Sequence, residues 1–162
     1  MKKLLIGLLL VLPLLSANLK SSLFRNKLHE AAIEGSYFKA FALISRHGYD
    51  VNEKDKPYLA SPLHYAAKFG HLPLVTLFVE KGAEVNSKNC VFNTPLHLAV
   101  RENNYRVAVF LIWKGANPLA KNILGKTALD LAIESGNKKL IDLLENISVR
   151  VKEIEEEFLN NK

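Results

Sequence analysis

The chain has 162 residues, with 22 Lys and Arg against 16 Asp and Glu for a net charge of +6; its 49% hydrophobic and 23% charged content is ordinary for a folded protein and argues against disorder. A single cysteine excludes an internal disulfide framework and a cysteine zinc knuckle. No run of five or six Lys or Arg occurs, so the case for nucleic acid is poor, and the modest positive excess argues weakly for acidic partners or anionic surfaces.

Residues 1–17 stand apart. Met1-Lys2-Lys3 is a short basic start, Leu4 to Leu15 is an almost unbroken apolar run containing Pro13, and Ser16-Ala17 supplies small residues. That is the form of a bacterial-type signal peptide, with cleavage expected after Ala17. The alternative is an uncleaved membrane anchor, although the run is short of the roughly 20 apolar residues that span a bilayer. The expected location is exported, periplasmic or secreted. Lipoprotein processing is closed, because it needs a Cys directly after the run and the only one is Cys90. Loss of Lys2 and Lys3 lowers the net charge by two, from +6 to +4.

Residues 18–27 read as a polar lead-in with Phe24 as an anchor. Leu28-His29-Glu30-Ala31-Ala32 then opens a pattern that returns as Ser61-Pro62-Leu63-His64-Tyr65-Ala66, Thr94-Pro95-Leu96-His97-Leu98-Ala99 and Thr127-Ala128-Leu129-Asp130-Leu131-Ala132. The last three copies lie 33 residues apart, and a fixed period marks a repeat architecture. Leu28 precedes Leu63 by 35 residues, with one extra residue before Gly48 and one after it. Asn26-Lys27 stand where the small polar residue and Pro should be, so this unit is expected to cap the array, as terminal repeats do.

Within a repeat, Ser61 or Thr94 suits a helix N-cap and Pro62 or Pro95 the first helical position, where a missing N–H would be unpaired anyway. Leu63, Ala66 and Ala67 give the first helix an apolar stripe, and Gly70 ends it. Leu72, Val75, Phe78 and Val79 mark the second helix, and Gly82-Ala83-Glu84-Val85-Asn86 turns the chain into an extended finger. The next repeat follows through Val107, Phe110, Leu111 and Gly115-Ala116-Asn117-Pro118, with Asn103 in the helix-ending position. After Gly136, Leu140 and Leu143, the stripe Leu144, Ile147, Val151, Ile154 and Phe158 predicts a helix that continues. Its expected role is to cover the last face of the stack; a self-associating coiled coil is the alternative. The expected units are residues 1–17, 18–60, 61–93, 94–126, 127–146 and 147–162.

The T-P-L-H-x-A hexamer at this period resembles the ankyrin repeat. The resemblance implies an all-α solenoid of about four helix–turn–helix repeats with β-turn fingers. It also implies that partners are held by finger tips and by the concave face of the first helices. Carried over by position, the concave pairs are Ile33-Glu34, Lys68-Phe69, Arg101-Glu102 and Glu134-Ser135. The fingers hold Tyr58-Leu59-Ala60, Val91-Phe92-Asn93 and Ile123-Leu124-Lys126. Leu59 and Phe92 replace the glycine usual at the tip, which only Gly125 keeps, so the tight turn is in question in two fingers. The apolar pairs Tyr58-Leu59, Val91-Phe92 and Ile123-Leu124 either form an exposed binding strip or pack finger against finger.

His64 and His97 each have a hydroxyl three residues back, Ser61 and Thr94, which invites a nucleophile–base reading. The arrangement recurs with the repeat, Asp130 fills the same slot after Thr127, and no orienting group follows. In ankyrin-like proteins this His braces the loop and the neighbouring repeat, so a structural role is expected for all of these. No H-x-x-x-H, H-E-x-x-H, phosphate loop or dinucleotide fingerprint occurs, so no metal, cofactor or small-molecule substrate is expected and the chain is read as no enzyme. Cys90 is expected to be a partly covered thiol, with cross-linking of two chains as the alternative. Trp113 is expected either on the back of the array or beneath the C-terminal helix. The functional expectation is an exported adaptor binding an unknown protein as a monomer. A membrane-anchored envelope protein self-associating through its C-terminal helix, or an inhibitor or immunity-type protein occluding an enzyme, are the alternatives.

Overall fold

The computed structural model describes residues 27–160; the leader, the apolar run at 4–15 and Phe24 lie outside the described residues. Eight helices follow in order: α1 Lys27–Glu34, α2 Tyr37–His47, α3 Pro62–Lys68, α4 Leu72–Glu80, α5 Pro95–Arg101, α6 Tyr105–Trp113, α7 Ala128–Ser135 and α8 Lys138–Asn160. Each odd-numbered helix pairs with its successor, and the inner helices α1, α3, α5 and α7 stack in sequence, with α2, α4 and α6 stacked behind them. No described residue lies in a strand, and no described helix is long and apolar enough to cross a membrane. The architecture is an all-α repeat solenoid.

Small residues set the spacing of the inner layer. Ala31, Ala32, Ala66, Ala67, Ala99 and Ala132 are fully buried where neighbouring inner helices meet, and Leu28, Leu63 and Leu96 fill the space beneath them. In α4 the buried set is Leu74, Val75, Leu77 and Phe78, with Leu72 and Val79 half-buried. That departs from the expected stripe because a mid-stack outer helix is covered by α3 and by both α2 and α6. Fully burying each of these large side chains contributes ~2 kcal/mol.

The two extra residues of the first repeat fall in separate places. Gly35 and Gly48 stand 13 residues apart where Gly70 and Gly82 stand 12 apart, and that one residue lengthens helix α2. The other insertion lies inside the first finger, closed by the Asp55 N–H to Ala60 carbonyl bond, where the second finger closes from Asn89 to Asn93. Helix α8 runs unbroken through residue 146 for 23 residues. Leu140 and Leu144 are fully buried and Ile147 and Val151 half-buried, whereas Ile154 is exposed, so the stack does not cover the stripe at Ile154; the side chain of Phe158 lies outside the described residues.

Gly70 shows how closely the repeats approach. Its φ is +73°, and a Cβ there would sit 2.6 Å from Asn104 Oδ1, whereas a Cβ on Gly115 (φ +87°) would meet open space. Gly115→Ala should therefore cost about 1 kcal/mol of backbone strain, and Gly70→Ala at least about twice that. Urea unfolding of the two variants measures the difference, and equal losses would contradict this packing.

Candidate protein-interaction surface

The repeats are held in register by side chains that reach main-chain groups in the next unit. His64 Nδ1 accepts the Ser61 N–H at 3.1 Å, which leaves the proton on Nε2 to be donated to the Asn93 carbonyl at 3.0 Å. His97 repeats this, accepting from Thr94 N–H at 3.2 Å and donating to the Lys126 carbonyl at 3.2 Å. His29, in the otherwise degenerate first repeat, donates to the Ala60 carbonyl at 2.9 Å. Burial pushes the His64 imidazole down from 6.5 to about 4 and lowers that of His97 as well. With both nitrogens engaged, neither ring has an arm left to move a proton on a substrate.

Asp130 keeps only half of this arrangement. Its Oδ2 accepts the Thr127 N–H at 2.7 Å and the Thr127 hydroxyl at 2.8 Å, which holds its carboxyl below the usual range. Among the described residues α8 follows this repeat in place of a finger, so the second arm of a histidine would find no finger carbonyl to brace.

Two more ladders went unread in the sequence. Asn52 donates to the Gly82 carbonyl and accepts from Glu84 N–H, and Asn86 does the same with Gly115 and Asn117. His71 Nε2 donates to the Ile33 carbonyl, Asn104 to the carbonyls of Ala67 and Lys68, and Asn137 to Asn103 Oδ1. Their recurrence at 33 or 34 residues was the available signal.

The fingers stand on this frame. Asn89 Oδ1 accepts the N–H groups of Val91 and Asn93, and Asn122 Oδ1 those of Leu124 and Lys126. Asp55 accepts Ala60 N–H at 2.8 Å and the Tyr65 hydroxyl at 2.5 Å. Adjacent fingers are joined by main chain, Cys90 N–H to the Tyr58 carbonyl at 2.8 Å and Ile123 N–H to the Val91 carbonyl at 3.0 Å. Pro57 occupies the corresponding donor position in the first finger and has no N–H, which blunts that edge.

The tight turn survives without glycine. Leu59 has φ +50° and Phe92 φ +59°, the left-handed geometry that Gly125 adopts at +73°. The tips face water: Tyr58 is 51% exposed, Leu59 48%, Val91 39%, Phe92 51%, Ile123 59% and Leu124 73%. Main-chain bonds join the fingers while these side chains remain outside.

On the concave side, Tyr58, Val91, Lys68 and Arg101 converge on a cleft of about 350 Å³ floored by Tyr65 and Leu98. Cys90 lines the cleft and is exposed, not partly covered. Lys68 Nζ lies over the exposed Phe69 ring at 5.3 Å, and Arg101 pairs with Glu102 at 3.3 Å. Glu34 pairs with Lys39 and Glu134 with Lys126. Leu59, Phe92, Ile123 and Leu124 stand outside the cleft, along the finger row. Trp113 lies on outer helix α6, 73% exposed with Lys114 Nζ 4.0 Å from its ring centre, and α8 does not cover it. Among the described residues no three His, Cys, Asp or Glu side chains gather as metal ligands would.

A sequence profile described as "Ankyrin repeats (3 copies)" matches residues 28–122. The chain belongs to the ankyrin-repeat family. The match spans helices α1 to α6 and enters the third finger, and α7 with α8 adds a fourth ankyrin helix pair. Among similar proteins, alpha-latrocrustotoxin-Lt1a of Latrodectus tredecimguttatus is 40% identical over 58 residues, 36% of this chain and 4% of the toxin. A probable E3 ubiquitin-protein ligase XBOS33 of Oryza sativa subsp. japonica is 64% identical over 31 residues, 19% of this chain and 6% of the ligase. The chain thus spans a small fraction of either relative's length. Ankyrin repeats generally mediate protein–protein interaction and are typically non-catalytic.

Proposed function

We propose that this ankyrin protein is an exported, non-catalytic adaptor that binds another protein through its finger tips and concave helix edge. The observation that carries this reading is the pair Leu59 and Phe92. Each is an apolar residue in a left-handed conformation, at a cost of about 1 kcal/mol or more, and each is about half exposed. A glycine, as at Gly125, makes the same turn without that cost, and strained apolar tips beside a cleft suit an intermolecular contact. Aromatic residues such as Tyr58 and Phe92 are favoured binding anchors. Export rests on the form of residues 1–17.

The test is a Tyr58→Ser, Phe92→Ser double variant. It should lose capture of the protein partner while its helical content stays that of the parent, and undiminished capture by the folded variant would end the proposal. The second reading, an envelope-anchored protein that self-associates, is favoured by the exposed Val149 and Ile154 on α8. A mature N-terminus near Asn18, together with sedimentation of the purified protein as a monomer, would remove it.

A further inference from the structure

The apolar finger row is set among lysines that take part in none of the ion pairs formed among the described residues. Lys54, Lys56, Lys88 and Lys121 are exposed on the fingers, and Lys68 sits half-buried on the concave edge. The ion pairs formed among the described residues use Lys39, Arg101 and Lys126 instead. Carboxylates on the same face are few and already occupied. Asp55 is buried against Tyr65 and Ala60, Asp130 is tied to Thr127, and Glu34, Glu102 and Glu134 are in ion pairs. Glu53 is the one exposed carboxylate of the finger segments 53–60, 87–93 and 120–126.

The lysines are also held close to the apolar tips. Lys88 Nζ lies 5.7 Å from the Phe92 ring centre, and Lys54 Nζ donates to the Lys88 carbonyl at 3.0 Å. Cations and apolar side chains therefore alternate along one surface that continues into the cleft between Lys68, Arg101, Tyr58 and Val91. We infer that the partner presents an acidic segment carrying apolar or aromatic anchors. This rests on the fingers being the binding surface, and it specifies the chemistry of what they bind. Apolar anchors supply contact energy at the tips, while the exposed lysines attract and orient the acidic residues between them. Nucleic acid fits less well. Of the six tip residues only Tyr58 and Phe92 offer a flat face for a base, and the one arginine beside the cleft, Arg101, is paired with Glu102.

The experiment selects binders from a random peptide library displayed on phage, using the full chain at low salt. Selected peptides should be enriched in Asp and Glu together with Phe, Leu or Trp. A synthetic representative should lose affinity about tenfold or more at high salt, and by a similar factor against a Lys54→Glu, Lys88→Glu variant. Neutral or basic peptides whose binding is lost in a Leu59→Gly, Phe92→Gly variant would overturn this inference while leaving the finger surface intact. Peptides that bind that variant undiminished would end both, and failure to enrich any peptide would overturn the inference. Tighter binding of an oligothymidylate than of every acidic peptide would overturn it in favour of nucleic acid.

Discussion

Unfolding by urea is expected to become easier as the pH falls below the ordinary histidine value of 6.5, with a loss through His64 alone that approaches about 3 kcal/mol at its folded value of about 4. The sign follows from which state takes the proton. In the stack His64 is neutral, with Nδ1 accepting from Ser61 and Nε2 donating to Asn93. A second ring proton would put a charge in a buried site, where Nδ1 already accepts the Ser61 N–H. The unfolded chain protonates freely, so stability present above 6.5 is lost as the pH falls toward the depressed folded value. His97 acts in the same direction and for the same first reason, burial. The Asp130 carboxyl is also lowered, by its bonds to Thr127, so its contribution disappears only in the more acidic carboxylate range. The window between 6.5 and about 5 therefore belongs to histidines. A His64→Ala variant should be less stable at neutral pH and should show a shallower slope across that window. Stability that stays flat there would remove the brace from the account.

Much of the scaffold was legible because the hexamer encodes local physics. Ser61, Pro62, Leu63, His64 and Ala66 each prescribe something within a few residues, and their copies at 94–99 and 127–132 fixed the register. The remainder depended on neighbours that a sequence does not display. His29 falls in the pattern, but its brace to Ala60 was not legible because Asn26-Lys27 replace the cap residues that frame the other histidines. The Asn52 and Asn86 clamps recur at repeat spacing, yet an asparagine in a loop does not announce which repeat it reaches. The stripe through Ile154 correctly indicated helix, but periodicity cannot say where the stack beneath it stops. The fingers depended most on context. An apolar residue in place of glycine argues locally against a tight turn, and here Asn89 and the bond from Ile123 to Val91 hold the turn at Phe92 regardless.

That conflict between local preference and fold yields the second large expected effect. A Leu59→Gly, Phe92→Gly double variant should melt at the parent temperature or slightly above it. Glycine removes left-handed strain of about 1 to 2 kcal/mol at each tip, and its greater freedom in the unfolded chain returns roughly half of that. The same change deletes two exposed apolar anchors, and loss of two central contacts commonly weakens an interface by about a hundredfold or more. Stability and binding should therefore move in opposite directions, an outcome that residues serving only the fold would not produce.

The decisive measurement is quantitative affinity capture from an envelope fraction, comparing the parent chain with the double-glycine variant and recording both melting temperatures. The account predicts that proteins specifically retained by the parent are absent from the variant while the variant melts no lower. An unchanged set of captured proteins, or a variant that melts well below the parent, would contradict it.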